Sequence, residues 1–255
     1  MTSKSCIFLA WLLLCSVLAA SAQQAVEFTE NKGQWNSSVL FRGAINNGAF
    51  FLQQNGFTVL LHNENDLQQL AEQIHGHAGE AQTNHNVSKR NAYPRPGQGN
   101  QPDTAGGMVL RSHAYTMRFA GADANATVLS EKPVNSYENY FTGNDPAQWA
   151  ANCSIFQAVT YKNIYPNIDV RYYAQGGQLK YDIIVYPGAN INDIVMQYEG
   201  ADKLQIKNRE LYIKTSVGDV KELSPYSYQI KKKKKTELDC RYVIEGKDKV
   251  TFKVK

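Results

Sequence analysis

Short stretches of alternating apolar and polar residues, closed by turn signals roughly every ten residues, dominate this sequence and commit it to β structure. His113, Tyr115, Met117 and Phe119 alternate with Ala114, Thr116 and Arg118, the period of two expected of a strand with one buried face. Ile168, Val170 and Tyr172 run into Gln175-Gly176-Gly177-Gln178, and Leu179, Tyr181, Ile183 and Val185 return with the same period. The glycine pair supplies the positive φ angles of a tight hairpin. Leu204-Gln205-Ile206 and Leu211-Tyr212-Ile213 form a second hairpin through Lys207-Asn208-Arg209-Glu210, and Arg241–Ile244 and Val250–Phe252 a third through Glu245-Gly246-Lys247-Asp248. This spacing predicts an all-β, antiparallel, sandwich-like fold rather than a βαβ one.

Helix is scarce. Leu67, Leu70, Ala71 and Ile74 recur at helical spacing, which predicts a helix over residues 65–74 capped by Asn65 or Asp66. Asp145-Pro146-Ala147-Gln148-Trp149 predicts one further turn, with Asp145 as cap and Pro146 at the first helical position. Residues 79–107 are Gln, Asn, Gly, Pro and Ser with hardly an apolar side chain, a composition that does not repay the entropy of ordering and predicts a long disordered loop. Residues 23–78 alone hold too few strands to close a core, so residues 23–255 read as a single β-rich domain interrupted by that loop. With 43% apolar residues in 255, the chain has the material for a real core and is not wholly disordered.

The first 22 residues read as an address. Lys4 precedes the apolar run Cys6–Leu18, and Ala20-Ser21-Ala22 carries the small-x-small pattern of a signal peptide cleaved after Ala22. The run is shorter than the roughly 20 residues that span a bilayer, so no transmembrane segment is expected after signal removal. Export through the periplasm to the cell surface or medium follows. The formal charge of +4 is concentrated in Lys231–Lys235, which read as a solvated hairpin tip rather than the broad basic face of a nucleic-acid binder. After removal of the signal, Cys153 and Cys240 remain. In an oxidising compartment they are a candidate disulfide, and two separately buried thiols are the competing reading.

Candidate chemistry is sparse. His75, His77 and His85 lie near one another in sequence, but on a stretch without the rigid frame a metal site needs. Asp169, Asp182, Glu199 and Glu222 are the acids from which a glycosidase pair would be drawn, and no spacing singles out two of them. Asp182 has Arg171 as its simplest cross-strand partner. No nucleophile elbow, P-loop, dinucleotide fingerprint or zinc-protease helix occurs, so no catalytic, metal or cofactor residue is nominated and none of these groups is expected to be bound. The 15 tyrosines, with Trp35 and Trp149, suit either a sugar-stacking face or half-buried positions in a sheet. Asn36, Asn86, Asn125 and Asn152 each begin an N-glycosylation triplet, relevant only in a host with that pathway.

Several motifs in fixed order carry a resemblance: Phe28-Thr29-Glu30-Asn31-Lys32-Gly33-Gln34-Trp35, Tyr137-Glu138-Asn139-Tyr140-Phe141-Thr142-Gly143-Asn144-Asp145-Pro146, Tyr165-Pro166-Asn167-Ile168-Asp169, Val185-Tyr186-Pro187-Gly188-Ala189 and Tyr198-Glu199-Gly200-Ala201. Together they resemble the uncharacterised N-terminal domain of large cell-surface proteins of the Bacteroidota. The resemblance implies a module followed by SBBP β-propeller-type repeats, PKD-like domains and a gliding-motility-associated C-terminal domain read by type IX secretion, in S-layer-like cell-surface glycoproteins. It assigns no catalytic residue. Against that pattern, a chain ending in Phe252-Lys253-Val254-Lys255 is expected to be truncated at its C-terminus or a stand-alone remnant. Asp103-Thr104-Ala105 resembles the short O-glycosylation motif of that group. The expectation is a non-catalytic module of an exported, adhesin- or S-layer-like protein, partnered by downstream domains or surface glycans and proteins. A carbohydrate-binding module is the alternative, and a hydrolase or hydrolase accessory domain a third reading.

Overall fold

The structure, a computed structural model, describes residues 26–79 and 109–255. Strands β1 (Phe28–Glu30), β2 (Val39–Ile45), β3 (Gly48–Gln53) and β4 (Gly56–His62) lead into helix α1 (Glu64–Gly79). After the helix come β5 (Ser112–Phe119), β6 (Thr127–Tyr140), β7 (Ala150–Tyr165), β8 (Ile168–Gln175), β9 (Gln178–Val185) and β10 (Met196–Glu199). Three hairpins and their flanks complete the chain: β11 (Lys203–Lys207), β12 (Glu210–Lys214) and β13 (Val220–Glu222), then β14 (Ser227–Lys231) with β15 (Lys234–Leu238), then β16 (Cys240–Glu245) with β17 (Lys249–Val254).

Twelve strands form one antiparallel sheet in the order β16-β17-β10-β5-β4-β3-β2-β1-β7-β8-β9, with β6 added beside β7. The sixteen-residue β7 joins the halves. Its residues Ile155 and Phe156 pair with β1, while Ala158–Tyr165 pair with β8. The sheet folds back so that Phe50 and Phe57 of β3 and β4 meet Tyr172 of β8, with ring centroids 5.9 and 6.2 Å apart. Phe119 of β5 likewise meets Tyr165 of β7 edge-on. Phe28, Leu52, Met117, Val159, Ile168, Val170 and Met196 fill the space between, each fully buried apolar side chain worth about 1.5–3 kcal/mol. The fold is all-β and sandwich-like, as the alternation predicts.

The three hairpins predicted from the sequence, β8–β9, β11–β12 and β16–β17, are present. Gly176 and Gly177 both have positive φ, as do Asn208 and Arg209, giving two-residue turns of the primed type. The small sheet β11-β12-β13 stands apart from the large one in hydrogen bonding but turns Leu204, Leu211 and Ile213 into the common core. Edge strand β6 is largely exposed and interrupted. It carries Pro133 and the left-handed Lys132, features that discourage another chain from pairing with it.

The short turn at Pro146–Gln148 is present, with the Asp145 carboxylate accepting from the Ala147 amide. The helix differs from expectation. It starts earlier and is capped by Asn63, whose side chain accepts from the Asp66 amide. Asp66 is instead committed to Arg111, accepting from its backbone amide at 2.9 Å and from two guanidinium nitrogens. This clamp ties the start of α1 to the entry of β5, and the guanidinium holds the Asp66 carboxyl down at about 2. The proposed loop 79–107, His85, Asn86, Asp103-Thr104-Ala105 and the signal segment with its cleavage after Ala22 lie outside the described residues, save the helix-terminal Gly79.

Lys232 and Lys233 occupy the β14–β15 turn at φ 49° and 65°, a conformation costly for side chains with a Cβ. Replacing the pair by Asn-Gly should stabilise this ribbon by about 1 kcal/mol. Hydrogen exchange at the Gln229 and Lys231 amides, which the register places at the hydrogen-bonded positions of the ribbon, is then expected to slow several-fold, with the large sheet unchanged.

Candidate functional site

Where the two ends of the large sheet approach each other, an acid is enclosed by tyrosines. Glu222, at the end of β13 in the small sheet, accepts hydrogen bonds from Tyr181 on β9 (2.8 Å), Tyr198 on β10 (3.0 Å) and Tyr242 on β16 (3.4 Å). The single Tyr242 hydroxyl hydrogen is shared between Glu222 and the Leu223 carbonyl at 3.2 Å, Tyr115 stacks on Tyr198, and Tyr181 reaches the Met196 sulfur. Part of the Glu222 backbone and stem reaches the surface, but its carboxyl end is desolvated. Burial raises the Glu222 pKa against the opposing pull of its three hydroxyl donors. The same burial, with the Glu222 charge next in weight, drives Tyr181 and Tyr198 well above their ordinary value. Deeper in, the Tyr161 and Tyr172 rings meet edge-on, and their buried hydroxyls find no hydrogen-bond partner among the described residues.

The other three acids are each engaged elsewhere. Asp169 on β8 is buried and forms an ion pair with Lys162. It also accepts from the Asn163 amide at 2.8 Å and the Tyr186 hydroxyl at 2.9 Å. Burial works against the ionised form, but these donors outweigh it and lower the Asp169 pKa. The motif Tyr165-Pro166-Asn167-Ile168-Asp169 explains the geometry. Pro166 and the left-handed Asn167 turn the chain, so that Asp169 comes back beside Asn163. Glu199 pairs with Arg118 across β5 and β10 at 2.5 Å. Asp182 does lie opposite Arg171 in register, but it accepts from Tyr173, while Arg171 binds Glu131 of β6. The Arg171 guanidinium and the Thr160 hydroxyl keep Glu131 below its usual range.

A second cluster gathers the N-terminal motif. Asn31 spans the turn before β2: its Oδ1 accepts from the Gly33 and Trp35 amides, and its Nδ2 donates to the carbonyls of Trp35, Asn36 and Val39. Glu30 accepts from the Ser154 amide and pairs with Lys32, which also donates to the Asn152 carbonyl. Gln34 donates to the Glu30 carbonyl and to the Cys153 sulfur, and Thr29 donates to Glu138. The two motifs Phe28–Trp35 and Tyr137–Tyr140, carried by strands on opposite edges of β7, thus meet over one of its faces. Trp35 is half-buried, edge-on to Tyr140 at 5.0 Å and flanked by Arg42. It borders an open groove of about 780 Å³ shared with Glu30, Asn31, Phe41, Gln54 and Ser130.

The candidate disulfide is not formed. Cys153 lies on β7 beside Gln34, and Cys240 on β16 beside Asp239 and Arg209; they are separately buried thiols. Burial raises both pKa values and so holds them as thiols. Of the rings that suggested a sugar face, Tyr115, Tyr161, Tyr165, Tyr172, Tyr198 and Tyr242 are core. Of the surface rings, Phe141 and Trp149 meet at 70° and Trp35 and Tyr140 at 72°, while Tyr226 and Tyr228 are tilted by 44° to each other. Among the described residues no group of three His, Cys, Asp or Glu is placed to hold a metal. The side chains of His75 and His77 lie outside the described ones.

A family model described as "Domain of unknown function (DUF7948)" matches residues 28–255. The chain belongs to the DUF7948 family. Its matched region begins at Phe28, the first residue of the motif wrapped around Asn31. No curated protein and no solved structure matches the chain. Among the described residues no helix is long and apolar enough to cross a membrane.

The partnering of hydroxyls separates two kinds of tyrosine. Tyr198→Phe removes a donor to Glu222 and is expected to destabilise the fold by about 1–2 kcal/mol, whereas Tyr161→Phe and Tyr172→Phe should be neutral or stabilising. Thermal melts of the three variants check this, and a large loss in Tyr161→Phe would contradict it. A second expectation concerns pH. The folded pKa of Glu222 lies above its unfolded value, so its contribution is greatest below about 4.5 and falls as pH rises through the raised value. The stability of the native protein relative to Glu222→Gln should therefore decline as pH rises above about 4.5. A difference that stays constant across this range would show a solvated carboxyl.

Proposed function

We propose that this chain is a non-catalytic module of an exported protein, adhesin- or S-layer-like, of the kind built from SBBP repeats, PKD-like domains and a type IX sorting domain in the Bacteroidota. One observation carries the non-catalytic reading. Each acid from which a glycosidase pair would be drawn is committed to a structural partner: Asp169 to Lys162, Asn163 and Tyr186, Glu199 to Arg118, Asp182 to Tyr173, and Glu222 to three tyrosines on three strands. A general acid or nucleophile must instead face a substrate with its reacting oxygen. Export is supported by the signal-like residues 1–22.

The Trp35 groove supports a carbohydrate-binding alternative, since a half-buried indole beside Asn31, Gln54 and Ser130 joins an apolar ring to polar side groups. The neutral-glycan affinity it implies should vanish in Trp35→Ala. Fractionation of the producing cells with N-terminal sequencing tests the leading reading. A mature chain beginning at Gln23 in the surface or extracellular fraction is expected; an intact Met1 in the cytosol would overturn export. Hydrolysis of glycosides or peptides that is abolished by Asp169→Asn or Glu222→Gln would overturn the non-catalytic reading.

A further inference from the structure

The β14–β15 ribbon has a composition unlike the rest of the surface. It is a two-stranded sheet hydrogen-bonded to no other strand, with nearly every residue exposed. Residues 226–238 hold five lysines and one glutamate. The whole chain has 27 basic and 23 acidic residues, so outside this ribbon 22 of each remain and the charges balance. The net positive charge is thus localised on one projecting element. Large apolar side chains gather there too: Tyr226, Tyr228 and Ile230 are 62%, 47% and 69% exposed, and Leu223 just before them is 56% exposed. An isolated ribbon is marginal in water, and an exposed apolar cluster within a basic element marks an interaction surface.

We propose that this ribbon is a docking site for an acidic polysaccharide, a polymer of uronate-type sugars with a carboxylate on each ring. Tyr226, Tyr228 and Ile230 share one face by the period of two, about 7 Å between neighbours. Lys235 is directly opposite Ile230 and Glu237 opposite Tyr228 in the register, so all five side chains line that face. The Lys235 ammonium lies over both tyrosine rings, 4.0 Å from the Tyr228 centroid and 5.0 Å from that of Tyr226. The only acid on the face, Glu237, accepts from the Tyr226 hydroxyl. Lys232 and Lys233 crown the same end at the turn. Sugar rings thus meet amphipathic rings and an aliphatic side chain, while their carboxylates meet Lys235 and the two turn lysines.

The composition favours this occupant over its rivals. A second copy would bring a ribbon of the same charge against this one, which like-charge repulsion opposes. Residues 223–239 contain no arginine, the side chain suited to bidentate phosphate recognition in nucleic acids, whereas lysines act as flexible point charges. The ribbon is also separate from the Trp35 groove and from the question of export, so it stands or falls independently of both.

Binding of the full chain to alginate, a polyuronate, tests the proposal, with neutral dextran, single-stranded DNA and phosphatidylserine vesicles measured alongside. Alginate is expected to bind and dextran not to compete at this site. Affinity should drop about tenfold or more between about 0.05 and 0.5 M salt as screening takes hold. The combined Lys232→Gln, Lys233→Gln and Lys235→Gln variant should bind at least about tenfold more weakly, and Tyr228→Ser several-fold more weakly at unchanged charge. Thermal melts confirm that each ribbon variant is folded, and the single variants Lys233→Gln and Tyr228→Ser decide the matter if the triple one is not. No alginate binding, undiminished binding by the lysine and tyrosine variants, or tighter binding to DNA or vesicles than to alginate would each overturn the proposal.

Discussion

A single carboxyl group bridges strands that lie far apart in the open sheet. Strands β9 and β16 stand at opposite ends of the hydrogen-bonded path, with β10 two places in from β16, and none of these is paired with β13. Glu222 nevertheless receives hydroxyls from all three. An unpaired buried carboxylate would be costly, whereas one with several donors is tolerable and directional. Leu211 and Ile213 supply the apolar contact that seats the small sheet on the core; Glu222 gives that seat its position. The Tyr161 and Tyr172 hydroxyls, buried nearby without partners among the described residues, show that ring volume rather than hydrogen bonding is what those two positions contribute.

The motifs on which the resemblance rests are largely engaged in holding the fold. In Phe28–Trp35 the polar side chains of Thr29, Glu30, Asn31, Lys32 and Gln34 are spent on turns, on β7 and on Glu138. In Tyr165–Asp169, proline and a left-handed asparagine reverse the chain so that Asp169 satisfies Lys162, Asn163 and Tyr186. Residue identity is constrained at these places by backbone geometry, since a side chain that caps a turn must have both the right reach and the right acceptor. The surfaces proposed for recognition, the Trp35 groove and the lysine ribbon, are built from fewer and less demanding residues.

Much of the fold is readable along the chain because its determinants are local. The alternation of Tyr115, Met117 and Phe119 and of Ile168, Val170 and Tyr172 does mark the buried faces, and Gly176-Gly177 and Asp145-Pro146 do mark a hairpin and a capped turn. Other features escape that reading. Asn63 caps the helix because Asp66 is drawn to Arg111, across the segment that separates α1 from β5. Arg171 turns from its register neighbour Asp182 to Glu131 because β6 lies on the far side of β7. The one sequence signal for the central site is an acid at an inward position of β13, flanked at the same face by Val220, and it names no partner.

The sequence by itself therefore determined the β character of the chain, its principal hairpins, the faces that turn inward and the concentration of charge in one lysine run, since each depends on neighbours within a few residues. Only the tertiary structure decided that the sheet folds back on itself at β7, that Cys153 and Cys240 stay apart, and that Glu222 meets three tyrosines drawn from residues 181 to 242. The physical reason is that burial of an ionisable or hydroxyl group is paid back only by partners that the folded sheet brings within about 3 Å, and spacing along a strand carries no record of which distant strand will supply them.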